Sequence, residues 1–325
     1  MRKIKWGVIG TAGIARGAGI PAILLAENAE PYAIASRNQE KAEAWRAEFG
    51  FTKAYGSYEE LLADPEVEAV YLPLPNTMHC EWVMKAAQAK KHILCEKPLA
   101  PSAEIAKKMI QTADENGVVL MEAFAYLHSP YMKAIKDELE KKTIGEVLYM
   151  ESAFLYSDHD MSNIRMRKET LGGACYDLGV YNTSQILWMM GDEPDQIQAI
   201  GDFSDQGIDL FTTALFTYKD GRRASMNCGM TLMTGADHRL DHFQVYGTRG
   251  YIKADAQFNQ SGQLSYEICV DGEKQVKVVD TPHNYKLEVE QLGRCITDGE
   301  QPHVSHAFTL KNAEIVDRIL EKINY

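Results

Sequence analysis

The first 122 residues alternate short apolar runs with segments of helical periodicity, and this alternation constrains the fold more than any other feature of the chain. The apolar runs are residues 4–9, 31–36, 67–72, 92–94 and 118–121, and the helical segments are residues 38–49, 79–89 and 101–115. Short strands that alternate with helices form βαβ units, in which helices cover both faces of a parallel sheet. We therefore predict an α/β domain over residues 1–122.

The pattern changes after residue 122. A predicted helix at 130–142 is followed by strands with no helix between them, at residues 146–156, 196–204, 209–218, 222–233, 241–247, 250–255 and 264–279. Hairpin turn signals occur at 219–221, 248–250 and 271–272. Consecutive strands indicate a mostly antiparallel sheet. Helices at 284–298 and 307–322 end the chain, so we predict a second, α+β domain over residues 123–325.

Composition excludes several classes of protein. The net charge of −12 over 325 residues disfavours binding to nucleic acid or to anionic membranes. No run of about 18 apolar residues could span a membrane, and the short amino-terminal apolar stretch does not resemble a signal peptide. The six cysteines are widely spaced and the nine histidines show no metal-ligand spacing. We therefore expect a cytoplasmic protein with reduced thiols and no metal.

A glycine-containing loop directly follows the first predicted strand. The dinucleotide fingerprint GxGxxG maps onto Gly10, Ala12 and Ala15, so only its first glycine is retained, and an extra glycine lies at position 13. Such a loop lets the backbone and the amino terminus of the next helix approach a pyrophosphate. Its position after the first strand favours a cofactor loop over an ordinary turn. The predicted loop contacts are Gly10, Thr11, Ala12, Gly13 and Ile14.

The end of the second predicted strand favours NADP(H). Enzymes that use NAD carry an acidic residue there, which binds the ribose hydroxyls, whereas this chain has Ser36 and Arg37. A serine hydroxyl and an arginine suit a 2′-phosphate, because the guanidinium binds phosphate with two hydrogen bonds. A solvated arginine at a strand end is the structural alternative, and NAD is the alternative cofactor.

The stretch LCEKPLA, residues 94–100, places Glu96 and Lys97 at the carboxyl end of a predicted strand. Proline restricts the preceding residue to an extended conformation, so Lys97 is conformationally limited. Open α/β sheets bind ligands at this edge. A lysine there can stabilise the negative charge that develops on a reacting hydroxyl. A solvated lysine in a turn is the structural alternative.

Asp177 and Tyr181 form a second candidate pair. If a helix spans about 174–190, positions 177 and 181 are four residues apart and share a face. The following residues, ILWMM at 186–190, are too apolar for an exposed helix. A buried face that carries an aspartate and a tyrosine is costly unless these groups are hydrogen-bonded or functional. A core tyrosine is the alternative for Tyr181.

Together these segments resemble the glucose-fructose oxidoreductase and inositol dehydrogenase (Gfo/Idh/MocA) family over essentially the whole chain. The motifs occur in the family's order: GVIGTAGIA, SR, LPLPNTMH, CEKPLA, NIRM and GGACYDLGVY. The DLGVY form, with Tyr181 where many members have histidine, is most similar to dihydrodiol dehydrogenases and NADP-linked D-xylose dehydrogenases. The resemblance implies a Rossmann dinucleotide-binding domain followed by an open, mostly antiparallel sheet that often forms the dimer interface.

The resemblance also implies roles for individual residues. The family lysine falls on Lys97, its acid–base residue on Tyr181 and its aspartate on Asp177, and many members have a cis peptide bond where Lys97 precedes Pro98 here. The cofactor contacts, including those of the glycine loop, are then Gly10, Thr11, Ala12, Gly13, Ile14, Ser36, Arg37, Leu72, Pro73, Asn76, His79, Glu96 and Lys97.

One position departs from the family pattern. Relatives commonly carry an arginine just after an aromatic residue, where this chain has Leu127 after Tyr126. Loss of that arginine would alter the polar lining near the substrate, so no particular sugar is assigned. Tyr126, Asn163 and Arg165 are the candidate substrate residues. For Asn163 and Arg165 a salt-bridged loop is the alternative.

We predict an NAD(P)-dependent oxidoreductase, with NADP(H) preferred, that transfers a hydride between nicotinamide and a secondary alcohol or carbonyl of a sugar or polyol. Tyr181 would move the hydroxyl proton, helped by Lys97, and Asp177 would orient the lysine or a substrate hydroxyl. The expected partners are the small-molecule substrate and further copies of the chain, in a homodimer or higher homo-oligomer.

Two other functions remain open at this point. One is a glycoside-cleaving enzyme that oxidises the sugar ring transiently, eliminates the leaving group and recycles a tightly held NAD. The other is a non-catalytic sensor of a sugar or dinucleotide, since fold alone does not fix function. Arg37 counts against the first alternative. The joint presence of Lys97, Asp177 and Tyr181 counts against the second.

Overall fold

The computed structural model of the protein describes residues 2–157, 160, 163–232, 239–255 and 258–325. The chain divides into two compact units. The first unit comprises Met1–His128 and His283–Leu310, and the second comprises Ser129–Pro282 and Lys311–Tyr325. Within the described residues, no helix is both long enough and apolar enough to cross a membrane.

The first unit contains a parallel sheet of six strands among the described residues. The strands are β1 (Ile4–Ile9), β2 (Ala29–Ala35), β3 (Lys53–Tyr55), β4 (Ala69–Leu72), β5 (His92–Glu96) and β6 (Leu120–Ala123). Their order across the sheet is β3-β2-β1-β4-β5-β6. The chain therefore reverses its winding direction between β1 and β4, and ligands of such sheets bind at the carboxyl ends of the strands at this point.

Helices connect these strands. They are α1 (Ile20–Leu25), α2 (Gln39–Phe49), α3 (Tyr58–Ala63), α4 (Asn76–Gln88) and α5 (Ala103–Asn116). The periodicity predicted three of them, α2, α4 and α5. Side-chain oxygens of Asn38, Ser57 and Ser102 cap the amino termini of α2, α3 and α5. β4 is buried along its whole length, which explains why its sequence is a continuous apolar run.

The second unit contains an eight-stranded sheet within its described residues. The strands are β7 (Val147–Tyr156), β8 (Gln196–Phe203), β9 (Asp209–Thr217), β10 (Arg223–Gly229), β11 (Arg239–Gly247), β12 (Gly250–Ala254), β13 (Gly262–Val270) and β14 (Glu273–Thr281). Their order is β14-β13-β12-β11-β7-β10-β9-β8, and the β7–β10 pair is parallel while the remaining pairs are antiparallel. The predicted open, mostly antiparallel sheet is confirmed.

The hairpin turn predicted at 271–272 divides the segment 264–279 into β13 and β14, and Asp271 and Gly272 both adopt left-handed backbone conformations there. One predicted strand of this sheet needs correction. The predicted strand 222–233 ends at Gly229 in the structure, and residue 233 lies outside the described residues.

The two faces of the second sheet differ in burial. Helices α6 (Pro130–Glu140) and α7 (Val180–Met190) lie in this unit, and Phe154 of β7 contacts Tyr181 of α7. The opposite face carries Tyr149, which stacks on Tyr246 with ring centroids 5.7 Å apart. Leu215 is also exposed on that face. The second sheet is therefore covered by helix on one side and open on the other.

The carboxyl-terminal helices do not both belong to the second unit. Helix α8 (Asn284–Asp298) is part of the first unit, and the division falls within α9 (His306–Ile323). The Asn28 side chain donates to the Glu290 carbonyl at 2.8 Å, and the His303 ring contacts the Leu127 carbonyl at 3.0 Å. The predicted division at residue 122 therefore differs from the structure, because these long-range contacts return residues 283–310 to the first unit.

Candidate active site

The loop after β1 begins with a glycine whose backbone conformation other residues rarely adopt. Gly10 has a φ of +108°, and a Cβ atom at this position would lie 2.9 Å from the Leu74 side chain. Its N–H donates to the Ala35 carbonyl at 2.9 Å, which fixes the loop to the end of β2. Gly13 and Ile14 are exposed and begin the helix that continues into α1. The loop is therefore open at the amino terminus of a helix, where an anion is stabilised.

Polar and cationic groups surround this loop at the end of β2. The Thr11 and Ser36 hydroxyls are 3.4 Å apart, and Arg37 is exposed beside them in the sequence. Lys41, on the first turn of α2, donates from Nζ to the Thr11 carbonyl at 3.2 Å. The charge of Arg37 acts on the buried Tyr58 hydroxyl, where burial raises the tyrosine pKa and the arginine opposes that rise. Two cations and two hydroxyls thus line this edge of the sheet, and such groups bind phosphate.

The segment after β4 supplies the next group of predicted contacts. Leu72 and Pro73 are buried at the strand end, and Asn76 begins α4. His79 was predicted to contact the cofactor, but it has no exposed surface in this structure. Its Nδ1 lies 2.8 Å from the Pro98 carbonyl and its Nε2 lies 2.8 Å from the Leu74 carbonyl. His79 therefore connects two loops of the predicted site, and its predicted contact with the cofactor stays a prediction.

The turn that follows β5 carries Lys97. The peptide bond between Lys97 and Pro98 is cis, as the family resemblance implied. Glu96, the last residue of β5, is buried and accepts a hydrogen bond of 2.6 Å from the Tyr71 hydroxyl. Burial, followed by the Glu96 charge, raises the pKa of Tyr71 well above its usual value, so the phenol stays protonated and remains a donor. Lys97 itself is half-buried.

A second carboxyl group lies against this turn. Glu122 of β6 is buried, and its Oε1 accepts a hydrogen bond from the Leu99 N–H at 2.9 Å. Burial raises the pKa of Glu122 to about 7, and the positive charge of Lys97 is one of the influences that oppose this rise. The predicted catalytic lysine therefore has an acidic neighbour that titrates near neutral pH.

In the second unit, a helix over residues 174–190 carries Asp177 and Tyr181, as predicted. Residues Cys175–Gly179 form a π-helical turn that continues into α7. Such turns occur often at functional sites. Gly173 precedes the helix with a φ of +105° and has no side chain to cap it. Asp209, at the start of β9, provides this cap instead, because its Oδ2 accepts a hydrogen bond of 2.8 Å from the Cys175 N–H.

Asp177 is paired within its own unit. The Arg165 Nε donates to Asp177 Oδ2 at 2.8 Å, and the charge of Asp177 raises the pKa of the guanidinium. Tyr181 also lies close enough to Arg165 to influence the pKa of the guanidinium, so Asp177 and Tyr181 face the same side of the helix. Asn163 caps the short 3-10 turn Ile164–Met166 by accepting from the Arg165 N–H at 3.1 Å. The predicted residues Asn163, Arg165, Asp177 and Tyr181 thus form one cluster.

The Tyr181 ring lies in an aromatic setting. Its centroid is 5.6 Å from that of Phe154 and 5.1 Å from that of Phe258. Its hydroxyl accepts a long hydrogen bond of 3.4 Å from the Asn259 side chain. The aromatic neighbours fix the ring, and its hydroxyl lies within hydrogen-bonding distance of a polar side chain.

Buried polar groups anchor the helix behind Tyr181. Asn182 donates to the Ser152 hydroxyl at 2.8 Å, and Ser152 donates to Gln185 at 2.6 Å. These three side chains are almost completely buried. Buried polar groups persist when they are hydrogen-bonded, and such a network specifies one position of the helix relative to β7.

The structure assigns the predicted residues to two groups, one in each unit. The first unit holds the glycine loop, Ser36, Arg37 and the Lys97 turn, and the second holds the Arg165–Asp177–Tyr181 cluster. Tyr126 has no exposed surface in this structure, and its predicted contact with substrate stays a prediction.

Sequence reasoning missed four residues of these groups. They are Lys41, Glu122, Asp209 and Asn259. The sequence contained a signal for two of them. Lys41 lies in the first turn of the helix predicted after Arg37, and Glu122 is a charged residue that directly follows the predicted buried strand 118–121. Asp209 and Asn259 are distant in sequence from the residues that they contact, and no local pattern indicates them.

The residues of the first unit fit a nicotinamide dinucleotide. The open helix amino terminus after Gly10 suits a pyrophosphate, and Arg37 and Lys41 suit a phosphate on the adenosine ribose. Among the described residues, no cluster of histidine, cysteine, aspartate or glutamate could hold a metal ion. The fold and the donor set define a dinucleotide-dependent oxidoreductase.

Comparison with known proteins specifies this class further. A model described as an oxidoreductase family with a NAD-binding Rossmann fold matches residues 4–124, and one described as the GFO/IDH/MocA C-terminal domain matches residues 132–253. The chain therefore belongs to the Gfo/Idh/MocA family of oxidoreductases. The predicted family and fold class are confirmed.

Named relatives match nearly the whole chain. The D-xylose 1-dehydrogenase (NADP⁺) 2 of Haloferax volcanii is 34% identical over 98% of this chain and 97% of that protein. The trans-1,2-dihydrobenzene-1,2-diol dehydrogenase of Xenopus tropicalis is 29% identical over 98% of each protein. A crystal structure of a 3-ketoreductase from Actinomadura kijaniata, in complex with NADP and TDP-benzene, superposes with a TM-score of 0.93 at 28% identity over 99% of this chain and 98% of that one.

Proposed function

We propose that this protein is an NADP(H)-dependent oxidoreductase that interconverts a secondary alcohol and a carbonyl on a sugar or polyol. The observation that carries the proposal is the arrangement at the carboxyl edge of the first sheet. The Gly10 loop, Arg37 and Lys97 all follow strands that end at this edge, where open α/β sheets bind their ligands.

The cationic groups after β2 support NADP(H) over NAD(H). Arg37 and Lys41 supply two positive charges beside the Ser36 hydroxyl, and no acidic side chain occupies the first two positions after β2. A 2′-phosphate would bind there through charge-assisted hydrogen bonds. The NADP-linked xylose dehydrogenase and the ketoreductase crystallised with NADP agree with this assignment.

The cluster of the second unit supports acid–base chemistry. The nicotinamide, when bound, supplies or accepts the hydride, so the protein has to move one proton at the substrate hydroxyl. Tyr181 is the proposed group for that proton, and Lys97 the proposed cation that assists it. A tyrosine has an unperturbed pKa of about 10 and therefore needs nearby positive charge to act as a base. Arg165 contributes such a charge within the second unit.

The proposed role of Asp177 is to hold Arg165 and orient a substrate hydroxyl. One oxygen of its carboxylate, Oδ2, accepts a hydrogen bond of 2.8 Å from the Arg165 Nε. Carboxylates and arginines commonly fix sugar hydroxyls, because each offers directional hydrogen bonds. A sugar or polyol therefore suits this cluster better than an apolar substrate.

The proposal includes a homodimer formed through the open face of the second sheet, in the cytoplasm. Tyr149, Tyr246 and Tyr251 form a row of aromatic rings on that face, and Leu215 and Val276 are at least half exposed there. An apolar and aromatic face of this kind suits association with a second copy. The six free thiols suit a reducing compartment.

A cofactor titration followed by a substrate screen tests the proposal. NADPH and NADH are titrated separately while nicotinamide fluorescence is followed, and NADP⁺ reduction is then measured with D-xylose and a panel of aldoses and polyols. At least about tenfold tighter binding of NADPH, with turnover of one sugar, supports the proposal. NAD that stays bound through purification would favour the oxidation–elimination glycosidase. Failure to bind either nucleotide would contradict an enzymatic role.

A further inference from the structure

Glu122 is a buried carboxyl group that contacts the turn carrying Lys97. It is the third residue of β6, and the sheet register pairs it with Cys95 of β5. Its Oε1 accepts the Leu99 N–H at 2.9 Å, and only 4% of the residue is exposed. A charged side chain in a buried strand is costly, so its retention there needs an explanation.

Charged and titratable groups face Glu122 from each element packed against it. Lys97 and Glu96 lie on the side of β5, as does the buried Cys95 thiol, and the Thr309 hydroxyl comes from α9. Burial is the largest influence on Glu122 and raises its pKa to about 7. The Leu99 N–H, the Thr309 hydroxyl and the Lys97 charge favour the ionised carboxylate, whereas the Glu96 charge opposes it. Small changes in proton concentration near neutral pH therefore change the charge at this position.

We propose that Glu122 is a positioning residue for Lys97. The Glu122 carboxylate fixes the Lys97-Pro98-Leu99 turn through the Leu99 amide and places a negative charge beside the lysine. The inference rests on the proposed function, because it concerns the lysine of that reaction. When Glu122 gains a proton, the turn keeps its hydrogen bond but Lys97 loses the charge that faces it. Glu122 thereby sets the lower pH limit of the reaction without touching substrate or cofactor.

Glu122→Gln isolates the charge from the shape. Glutamine has nearly the size of glutamic acid and keeps an oxygen that accepts the Leu99 N–H, so it imitates the protonated side chain at every pH. The wild-type kcat for NADP⁺-dependent oxidation of D-xylose, or of the aldose found in the screen, should rise with an apparent pKa of about 7. The variant should lack this rise, with kcat about tenfold lower than wild type near pH 8.5 and equal to it near pH 5.5. Its affinity for NADPH should stay within about twofold of wild type.

A spectroscopic measurement tests the same titration without turnover. The Leu99 amide donates to Glu122 Oε1, so its ¹H and ¹⁵N chemical shifts should titrate with a midpoint of about 7 in the wild type and should not in Glu122→Gln. The matched control is Glu288→Gln, which makes the same substitution at another buried carboxyl of the first unit. Burial and the Glu96 charge raise the pKa of Glu288. This control should keep both the rise of kcat and the Leu99 titration.

The outcomes separate the inference from the proposed function. If the wild type oxidises a sugar with NADP⁺ and Glu122→Gln keeps the rise of kcat near neutral pH, Glu122 does not position Lys97 and the inference is wrong. A Leu99 amide that does not titrate in the wild type overturns it as well, whether or not a substrate is known. If no sugar is oxidised while the Leu99 shift titrates as expected, the proposed function fails and the titration of Glu122 stands.

Discussion

The Arg165 guanidinium donates to the Asp177 carboxylate at 2.8 Å, so the aspartate of the family motif is held by an arginine of its own unit. The pair joins the short turn at 164–166 to the helix that carries Tyr181. The sequence left two alternatives for Arg165, a pocket residue or a member of a salt-bridged loop. The structure shows an ion pair that includes a predicted catalytic residue, and both alternatives are therefore compatible with it.

Replacement of Arg165 by methionine should impair the reaction. The stem of the side chain is preserved while the charge that orients Asp177 and acts on Tyr181 is lost. We expect kcat/KM for the sugar to fall about 10- to 100-fold, a loss typical of a misplaced polar group at a reactive centre. Steady-state kinetics with saturating NADP⁺ provide the measurement.

Arg167→Met is the matched control, because Arg167 is exposed two residues further along the same segment. It should retain kcat/KM within about twofold. Equal losses in Arg165→Met and Arg167→Met would show that the segment has only a general electrostatic role.

Removal of the cations after β2 should weaken binding of NADPH selectively. In Arg37→Ala and in Lys41→Ala, a charge-assisted contact with the 2′-phosphate is lost, and each variant should bind NADPH about tenfold more weakly. NADH lacks that phosphate, so its affinity should not change. Fluorescence titration with both nucleotides measures the two constants.

Lys108→Ala is the control for general charge effects, since Lys108 is an exposed lysine of α5 that pairs with Glu104. It should leave the preference between the two nucleotides unchanged. A parallel loss of NADH affinity in Arg37→Ala and Lys41→Ala would contradict a 2′-phosphate site at this position.

Asp209 should stabilise the helix of the second unit as a long-range cap. It accepts hydrogen bonds of 2.8 Å from the Cys175 N–H and from the Thr212 hydroxyl. In Asp209→Ala these buried donors lose their acceptor, which should cost about 2 kcal/mol of unfolding free energy and lower the melting temperature by a few degrees. Asp209→Asn keeps an acceptor oxygen and should lose less. Thermal unfolding followed by circular dichroism compares the variants, and equal losses would contradict the capping role.

The stability of the protein should depend on pH through Glu122. Its pKa in the folded protein, about 7, lies above the value of about 4.3 expected in the unfolded chain. Between these values the folded state binds more protons than the unfolded state, so this contribution is present at low pH and is lost as the pH rises to about 7. The difference of these pKa values corresponds to at most about 4 kcal/mol.

Urea unfolding at pH values from about 5 to about 8 measures this dependence. Glu122→Gln does not titrate, so its unfolding free energy should change less over this range than that of the wild type. A pH dependence that is identical in the two proteins would show that the Glu122 pKa is not raised on folding.

Much of the fold could be predicted because the signals are local. β4 is apolar along its length because both faces of the strand are buried, and glycines at 50 and 117 end α2 and α5 in left-handed conformations. The short strand β3 has only three residues and carries no pattern of its own. The π-helical turn Ala15–Gly19 was not predicted either. Its small residues are required by packing against a residue distant in sequence, since a Cβ atom on Gly19 would lie 2.1 Å from the Tyr71 ring.

The candidate site could be predicted where motifs are contiguous. Lys97 is identified by its proline, and Asp177 and Tyr181 by their spacing on one helix. The side chains that hold these residues come from distant positions: Asp209 is 34 residues from Cys175, and Asn259 is 78 residues from Tyr181. Such partners depend on strand order and register, which the sequence does not specify locally.

The Tyr181→Phe variant tests the central claim most directly. The substitution removes one hydroxyl from a ring that Phe154 and Phe258 keep in place, so the fold should be preserved. If Tyr181 moves the proton, kcat for NADP⁺-dependent oxidation of the sugar should fall at least about a hundredfold, while the affinity for NADPH stays within about twofold of wild type. A variant that keeps normal turnover would contradict the proposed mechanism.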